Sequence, residues 1–392
     1  MKSLLQIFGV AACGAALATL VSCGGSSGSN NMGPPPQSTF TAMAIVSDGA
    51  VAAPHTDPNL KNPWGIAFNP KGFVWVADNG TNLATLYDGN GVPQSLVVTI
   101  PAGTSGAASP TGIVFNATQS FNVTENGKSG VAAFIFAGEG GTITAWAPAV
   151  GPTNAFTLYD DGAGGAVYKG LALAANNGNN FLYATDFHNN KIDVFDTNFA
   201  KVTMPGGFRD SAIPAGFAPF GIQLVGSNLF VTYAMQDAAR HDDVAGAGLG
   251  MVDVFDTAGN LKQRFAPGGP LNAPWGIAQA PGSLGTIGGE ILIGNFGDGT
   301  INTFDASSGK SLGPLKSSNG STIVEPGLWG LAFGNDLNSQ PSTTLFFTAG
   351  PNGEANGVYG RIDLNPASTS GQSTTSGSST GSSSSGGASI GM

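Results

Sequence analysis

Six separate stretches of this sequence set an acid among small, turn-forming residues: Asp78, Glu139, Asp186, Asp242 with Asp243, Asp298 and Glu354. Oxygen-rich loops of that kind suit a hard divalent cation such as Ca2+. Tight turns also favour Asp and Asn for their own sake, with the acids facing solvent, and no Asp-x-Asp-x-Asp run with a matching Glu is present. The three histidines, His55, His188 and His241, fall in comparable stretches and would suit Zn2+ if they converged, although none has the spacing of a local zinc motif. Trp64, Trp275 and Trp329 each stand directly before a glycine. Such indoles could form an aromatic rim for a sugar or an apolar ligand, or pack as buried wedges. The longest irregular stretch, Ala234 to Gly250, holds Arg240-His241-Asp242-Asp243, and a loop longer than a tight turn commonly carries function. Lys169, Asp186, His188, Arg240, His241, Asp242 and the three tryptophans are therefore the expected ligand contacts. Gly-x-Ser-x-Gly occurs at Gly309 to Gly313 and in the Gly/Ser-rich ends, but nowhere between a strand and a helix as a nucleophile elbow requires; a phosphate-binding loop and a His-Glu-x-x-His helix are missing, so no motif supports an enzyme assignment.

These residues are spaced by a repeat. An aromatic or small residue, then Gly, then Ile or Leu, usually then Ala, recurs six times, at Pro63-Trp64-Gly65-Ile66-Ala67, Pro110-Thr111-Gly112-Ile113-Val114, Tyr168-Lys169-Gly170-Leu171-Ala172, Pro219-Phe220-Gly221-Ile222-Gln223, Pro274-Trp275-Gly276-Ile277-Ala278 and Leu328-Trp329-Gly330-Leu331-Ala332. Gly65 to Gly330 spans 265 residues in five steps, a mean pitch of 53 that suits a four-stranded propeller blade. After each copy comes a run of β-branched and aromatic residues, such as Phe73 to Ala77 or Leu229 to Tyr233, and then a Gly- or Asn-containing turn. An alternating third strand follows, clearest at Ile192 to Phe195, Val252 to Phe255 and Ile301 to Phe304. Weaker fourth strands read at Leu96 to Ile100, Ala155 to Tyr159 and Leu261 to Phe265. The sixth unit runs out of chain after Tyr359 to Leu364, while Thr39 to Val46 is strand-like and unassigned. An all-β, six-bladed propeller over residues 39–366 is expected, with the N-terminal strand completing the last blade and removing exposed edges. In that fold the acids, the histidines and the long loop share one face.

Composition agrees. With 61 Gly and 24 Pro in 392 residues, long helices are not expected. Only 10% of residues are charged against 41% hydrophobic, so the apolar material must lie in many short buried strands. A formal net charge of -10 with 14 Lys plus Arg excludes nucleic acid as a partner, because phosphate neutralisation needs a basic face.

The units resemble the NHL-type propeller repeat, in which a Pro-x-Gly-Ile-Ala strand leads into a valine- and aromatic-rich strand ending in Ala-Asp. Asp57 to Gly65, Tyr168 to Leu171, Ala184-Thr185-Asp186-Phe187-His188, Gly294 to Gly299 and Phe347-Thr348-Ala349-Gly350 look like a family of exported bacterial propellers, some with a C-terminal sorting signal. The resemblance runs over residues 40 to 363 and implies fold without activity. Some NHL-type lyases bind zinc through histidines on this face. The resemblance thus leaves two functions open: a binding or interaction module, and a metal-dependent hydrolase or lyase of the lactonase type at the channel mouth.

The ends of the chain bear on location. Lys2 and the apolar run Leu4 to Leu20 read as a secretory signal, and Leu20-Val21-Ser22-Cys23-Gly24 resembles the bacterial lipobox, in which the Cys is acylated and becomes the mature N-terminus. Cys13 would leave with the signal and Cys23 would carry lipid, so no thiol remains to form a disulfide. Each buried acyl methylene adds ~0.8 kcal/mol of membrane affinity. Residues 1–22 are thus read as signal, 23–38 as a disordered Gly-, Ser- and Pro-rich tether, and 367–392 as a disordered Ser/Gly-rich tail. A monomer is expected on a periplasmic or outer-membrane face, touching membrane through its lipid only, with a protein or glycan as its ligand.

Overall fold

The computed structural model describes residues 37–366; Cys23, the signal, most of the tether and the Ser/Gly-rich tail lie outside the described residues. Six sheets form the body, antiparallel except where the short strand His55–Thr56 pairs parallel at the outer edge of the sixth. Blade 1 consists of Pro63–Phe68, Val74–Asp78, Leu83–Tyr87 and Val98–Thr99, in that order outward. Blade 2 is Pro110–Phe115, Phe134–Gly138, Thr142–Trp146 and Phe156–Asp160, and blade 3 is Tyr168–Asn176, Asn179–Asp186, Lys191–Phe195 and Lys201–Val202. Blade 4 is Phe217–Val225, Asn228–Gln236, Gly250–Asp256 and Leu261–Ala266, and blade 5 is Pro274–Gln279, Ile291–Asn295, Ile301–Phe304 and Ser311–Pro314. Blade 6 takes Leu328–Phe333, Leu345–Ala349 and Val358–Leu364 from the end of the body and Phe40–Ser47 from its beginning. The closing strand pairs Phe40 with Leu364 and Ser47 with Val358, with a bulge between Ala44 and Val46. The expected closure is therefore the observed one.

The repeated glycine sits where the six innermost strands crowd together. Each of these strands shifts register against its neighbour at the motif, between Pro63 and Ile66 in blade 1 and at the matching place in the other five. A Cβ at Gly65 would overlap Thr111, at Gly112 Leu171, at Gly221 and Gly276 the carbonyls of Trp275 and Trp329. At Gly170 it would lie 2.8 Å from the Ile222 nitrogen and at Gly330 2.6 Å from the Trp64 oxygen, which completes the circle. Glycine is required here by close approach. Threonine hydroxyls stitch the belt: Thr185 Oγ1 accepts from Gly170 N at 2.7 Å and donates to Phe220 O at 2.7 Å, joining blades 3 and 4. Thr348 does the same for Gly330 N and Trp64 O, at 2.9 and 2.6 Å, joining blades 6 and 1.

Between blades, aromatic side chains fill the wedge-shaped gaps. Trp75 of blade 1 stacks on Phe134 of blade 2 at 4.1 Å, and Tyr87 stacks on Tyr359 of blade 6 at 5.3 Å. Such pairs add about 0.5–1.5 kcal/mol each beyond area burial. Two features differ from the sequence reading. A hairpin, Asn122–Glu125 with Lys128–Val131, is inserted between the first two strands of blade 2, and Asn126-Gly127 at φ 50° and 76° forms its turn. Blades 3 and 5 also have fourth strands with little apolar content, which register only because the third strand offers an open edge.

Deleting residues 39–47 should abolish cooperative thermal unfolding; a melt like that of the full body would show that the ring closes without this strand. Gly221→Ala should destabilise the body by about 1–3 kcal/mol through overpacking. Gly282→Ala, which meets nothing within 4 Å, should leave denaturant unfolding unchanged.

Candidate functional site

Register pairs Pro63 with Asp78 and Phe68 with Val74, so the entry to each innermost strand and the turn after each second strand share one end of the channel, here the upper face. Behind that face the channel is closed by side chains. Trp64 and Trp329 stack at 3.4 Å between ring centroids, Phe296 stacks on Trp329 at 4.0 Å, and Trp275 meets Trp64 edge-on at 5.7 Å. Phe187 and Phe220 complete the cluster. Trp64, Trp275 and Trp329 are 2%, 9% and 1% exposed, so the three indoles do converge, as a buried plug and not as an open rim. The Nε1 groups of Trp64 and Trp275 have no hydrogen-bond partner.

On this plug lies a polar network that crosses most of the ring. Trp329 Nε1 donates to Asn62 Oδ1 at 3.0 Å, Asn62 Nδ2 donates to Glu354 Oε2 at 2.7 Å, and a longer contact of 3.3 Å reaches Asn79 Oδ1. Asn79 Nδ2 donates to Glu139 Oε2 at 2.8 Å. The other Glu139 oxygen takes the Lys169 ammonium in a short ion pair. Lys169 Nζ also lies 3.4 Å from Asp242 Oδ1, and the same oxygen meets His241 Nδ1 at 2.9 Å. The ammonium sits 4.9 Å from the centroid of Trp64 and 5.9 Å from that of Phe187. Blades 6, 1, 2, 3 and 4 all contribute. A second link, Asn272, joins Gly246 of the long loop (2.7 Å) to Asp298 of blade 5 (3.3 Å).

Electrostatics follow from this packing. Burial opposes the charge on Lys169, but Glu139, Asp242 and Asp243 outweigh it and hold the ammonium above its ordinary value. The His241 contact draws the Asp242 carboxyl down to about 2, and Asp242 in turn raises His241. Burial pushes Asp243 up to about 7, Glu325 up to about 7, and Glu354 above the usual carboxylate range. Asp78 is wholly buried with neither oxygen hydrogen-bonded, and burial raises it well above that range.

The expected contacts thus separate. Lys169, His241 and Asp242 come together with Glu139, while Arg240 is exposed at the loop tip with φ 56°. Asp186 is buried and holds its own turn, accepting from Val167 N at 3.2 Å and Asn189 Nδ2 at 2.9 Å. The ring of His188 lies against Gly165, and His55 pairs with Val46 at the outer edge of blade 6. Among the described residues, Glu139, His241 and Asp242 form the one group of three with metal-binding chemistry, their ligand atoms within 4.8 Å of one another. The three histidines therefore do not share a site. Lys169 already places a positive charge beside that group, so a bound cation would have to displace it or tolerate it. The amides Asn62, Asn79 and Asn272 lie in segments that chain order places on this face, 57–62, 78–82 and 271–274, but were not among the expected contacts; their signal is an Asn at or just before the entry to an innermost strand or in the turn after a second one.

A six-bladed ring with this motif at each inner strand is an NHL-type propeller, and residues 60–83 match the NHL repeat. The chain is 36% identical over 336 residues to protein R648 of Acanthamoeba polyphaga mimivirus, covering 83% of this chain and 80% of that one. It is 34% identical over 301 residues to L690 of the same virus, covering 75% and 79%. The chain belongs to the family of these proteins. These relatives are viral, whereas the resemblance read from the sequence was to exported bacterial propellers. Among solved structures it is similar to a streptogramin B lyase, 15% identical with a TM-score of 0.44, covering 83% of this chain and 98% of that one. It is also similar to the soluble aldose sugar dehydrogenase of Escherichia coli, 13% identical with a TM-score of 0.46, covering 83% and 100%.

Lys169→Met should cost about 3–5 kcal/mol by leaving the largely buried Glu139 carboxylate without its cation, and the loss should shrink when Glu139→Gln is added in a double-mutant cycle. Acids raised in the folded state keep their protons longer than in the unfolded chain, so stability should fall as pH rises from about 4 to about 7 and then level off. Asp243→Asn should flatten part of that fall in melting temperature; an unchanged profile would mean that Asp243 does not titrate in this window.

Proposed function

We propose that this protein is a lipid-anchored, extracytoplasmic binding module that engages its ligand on the upper face of the propeller. The observation that carries the reading is the network from Trp329 through Asn62, Asn79, Glu139 and Lys169 to Asp242 and His241. It holds groups from five blades in one arrangement before any ligand arrives, and preorganisation of that kind lowers the cost of binding. Its cation is matched by acids within the site, which favours recognition over nucleophilic chemistry at Lys169. Asp242 and Arg240, exposed at the rim, are the groups a protein or glycan would meet first. The lipobox-like run ending in Cys23 supports the anchor and the exported location, on a periplasmic or outer-membrane surface.

A metal-dependent hydrolase of the lactonase type is the second reading, and the Glu139, His241 and Asp242 group is the observation in its favour. The two readings part on one assay. For a binding module, Zn2+, Ca2+ and chelator leave the melting temperature of the purified protein unchanged, because Lys169 holds the place of the cation. Stoichiometric metal with a chelator-sensitive melt would support the hydrolase, since a ligand at a hundred times its dissociation constant adds about 2.7 kcal/mol. For the anchor, the full chain expressed in a bacterial host should incorporate labelled palmitate and sediment with membranes. Cys23→Ser should lose both while keeping its melting temperature; equal labelling of the variant would remove the anchor from the proposal.

A further inference from the structure

The channel below the aromatic plug is walled by main chain. In an antiparallel ladder, residue pairs that exchange hydrogen bonds alternate with pairs that do not. In blade 1 Asn69 N donates to Phe73 O at 3.3 Å, so counting by twos makes Ala67 and Trp75 a bonded pair and leaves Ile66 and Val76 unbonded. Asn116 N to Ala133 O, Ala280 N to Glu290 O and Gly334 N to Thr344 O, at 2.9, 2.8 and 3.3 Å, set the same phase for Ile113, Ile277 and Leu331. In blades 3 and 4 Phe187 N donates to Val167 O at 2.9 Å and Gln236 N to Gly216 O at 2.7 Å. Counting back along those second strands turns Ala184 and Val231 away from the inner strand, so their partners Leu171 and Ile222 are unbonded too. The residue after the repeated glycine thus points its N–H and C=O at the channel in all six blades.

These six residues and the belt glycines line a neck of about 40 Å3 that is more polar than apolar, although Gln223 and Trp275 are the only side chains in it with a polar atom. Main chain supplies the rest. A Cβ on Gly112 would lie 2.5 Å from Leu171 N, on Gly170 2.8 Å from Ile222 N and on Gly65 3.0 Å from Ile113 N, so these nitrogens stand at the level of the belt. The strands run downward, which puts the carbonyls of the same residues one peptide lower, where the neck opens into a cavity of about 570 Å3. Donors therefore face the narrow part and acceptors the wide part. At the top of the neck the carbonyls of Trp64, Tyr168 and Phe220 are taken by the hydroxyls of Thr348, Thr111 and Thr185, at 2.6, 2.8 and 2.7 Å. No sheet joins one inner strand to the next, and among the described residues no side-chain acceptor reaches the six N–H groups.

Unshared donors around so small a passage need an acceptor. The neck has room for about three waters, or for one small ion in their place. A water among donors turns its own protons on other protons, whereas a halide accepts from every side. Burying an ion is costly unless it is hydrogen-bonded, and the ring of N–H groups supplies those bonds. The same geometry disfavours a cation, because the carbonyls that would hold it lie where the channel is wide.

We propose that the neck binds one monovalent anion of chloride's size, held on the axis by the N–H groups of Ile66, Ile113, Leu171, Ile222, Ile277 and Leu331. The ion enters from the lower cavity, since the plug of Trp64, Trp275 and Trp329 closes the way from above. Bound to every inner strand in the folded ring and to none in the unfolded chain, it stabilises the closed propeller. The site is separate from the network on the upper face and independent of the lipid anchor.

The purified protein is melted in sodium chloride, sodium bromide and sodium gluconate at matched ionic strength, gluconate being too large for the neck. The melting temperature should rise by several degrees with either halide, along a curve that saturates, and stay flat in gluconate. Crystals grown with bromide should show an anomalous peak on the axis among the six nitrogens. Gln223 is exposed and lines both the neck and the lower cavity. Gln223→Glu should weaken halide affinity about tenfold and Gln223→Lys strengthen it as much, the effect of one charge close to a partly wet site, with melting in gluconate unchanged for both. Equal melts in halide and gluconate, a halide effect that never saturates, or an axis without bromide would each overturn the proposal and leave the neck to water. Halide affinity indifferent to both charges at Gln223 would put the ion elsewhere and overturn it as well.

Discussion

Six strand ends meeting around one axis is the constraint on which the rest depends. The inner strands approach until main chain touches main chain, and only a residue without Cβ fits between them. This crowding also forces the register shift in each blade, because the strand must bulge inward at the glycine while staying paired above and below it. The bulge frees a peptide N–H from the ladder. Thr185, Thr232 and Thr348 take up that proton in blades 3, 4 and 6, and two of them pass their own on to the carbonyl of the next blade. Steric demand at the axis thus becomes cohesion between blades.

The same geometry produces the plug. The residue before each glycine faces the upper end of the channel, where six positions converge on a space too small for six large side chains. Three tryptophans and Phe220 fill it from blades 1, 4, 5 and 6. Blade 3 contributes Lys169 instead, and its ammonium ends above the rings of Trp64 and Phe187. A buried charge of that kind is tolerable only when paired. The long loop of blade 4 and the turn of blade 2 bring Asp242 and Glu139 to it, so the placement of two distant loops follows from one lysine at a repeat position.

Much of the fold was legible because each blade repeats the same local demands. The glycine motif gave all six inner strands, and β-branched and aromatic runs gave the second strands to within a residue or two at most boundaries. The missing fourth strand of the last unit pointed to the N-terminal segment that fills it. What escaped is weakly patterned: the short fourth strands of blades 3 and 5, held by an open edge and not by their own composition, and the hairpin inside blade 2, whose Asn126-Gly127 turn stands between two four-residue, mostly polar segments. At the site, residue types were legible but partnership was not. Asp186 and Asp242 look alike in sequence, yet one is buried securing its own turn and the other crosses the mouth to Lys169.

By itself the sequence determined the number of blades, the closing strand and which loops share a face, since these depend on periodicity and chain order. Tertiary structure alone decided which of those loops meet. Convergence at the axis is a matter of angles between blades, and no local pattern encodes it. That is why Trp64, Trp275 and Trp329 form a plug, why the three histidines stay apart, and why the cation among the acids is a lysine of the chain's own.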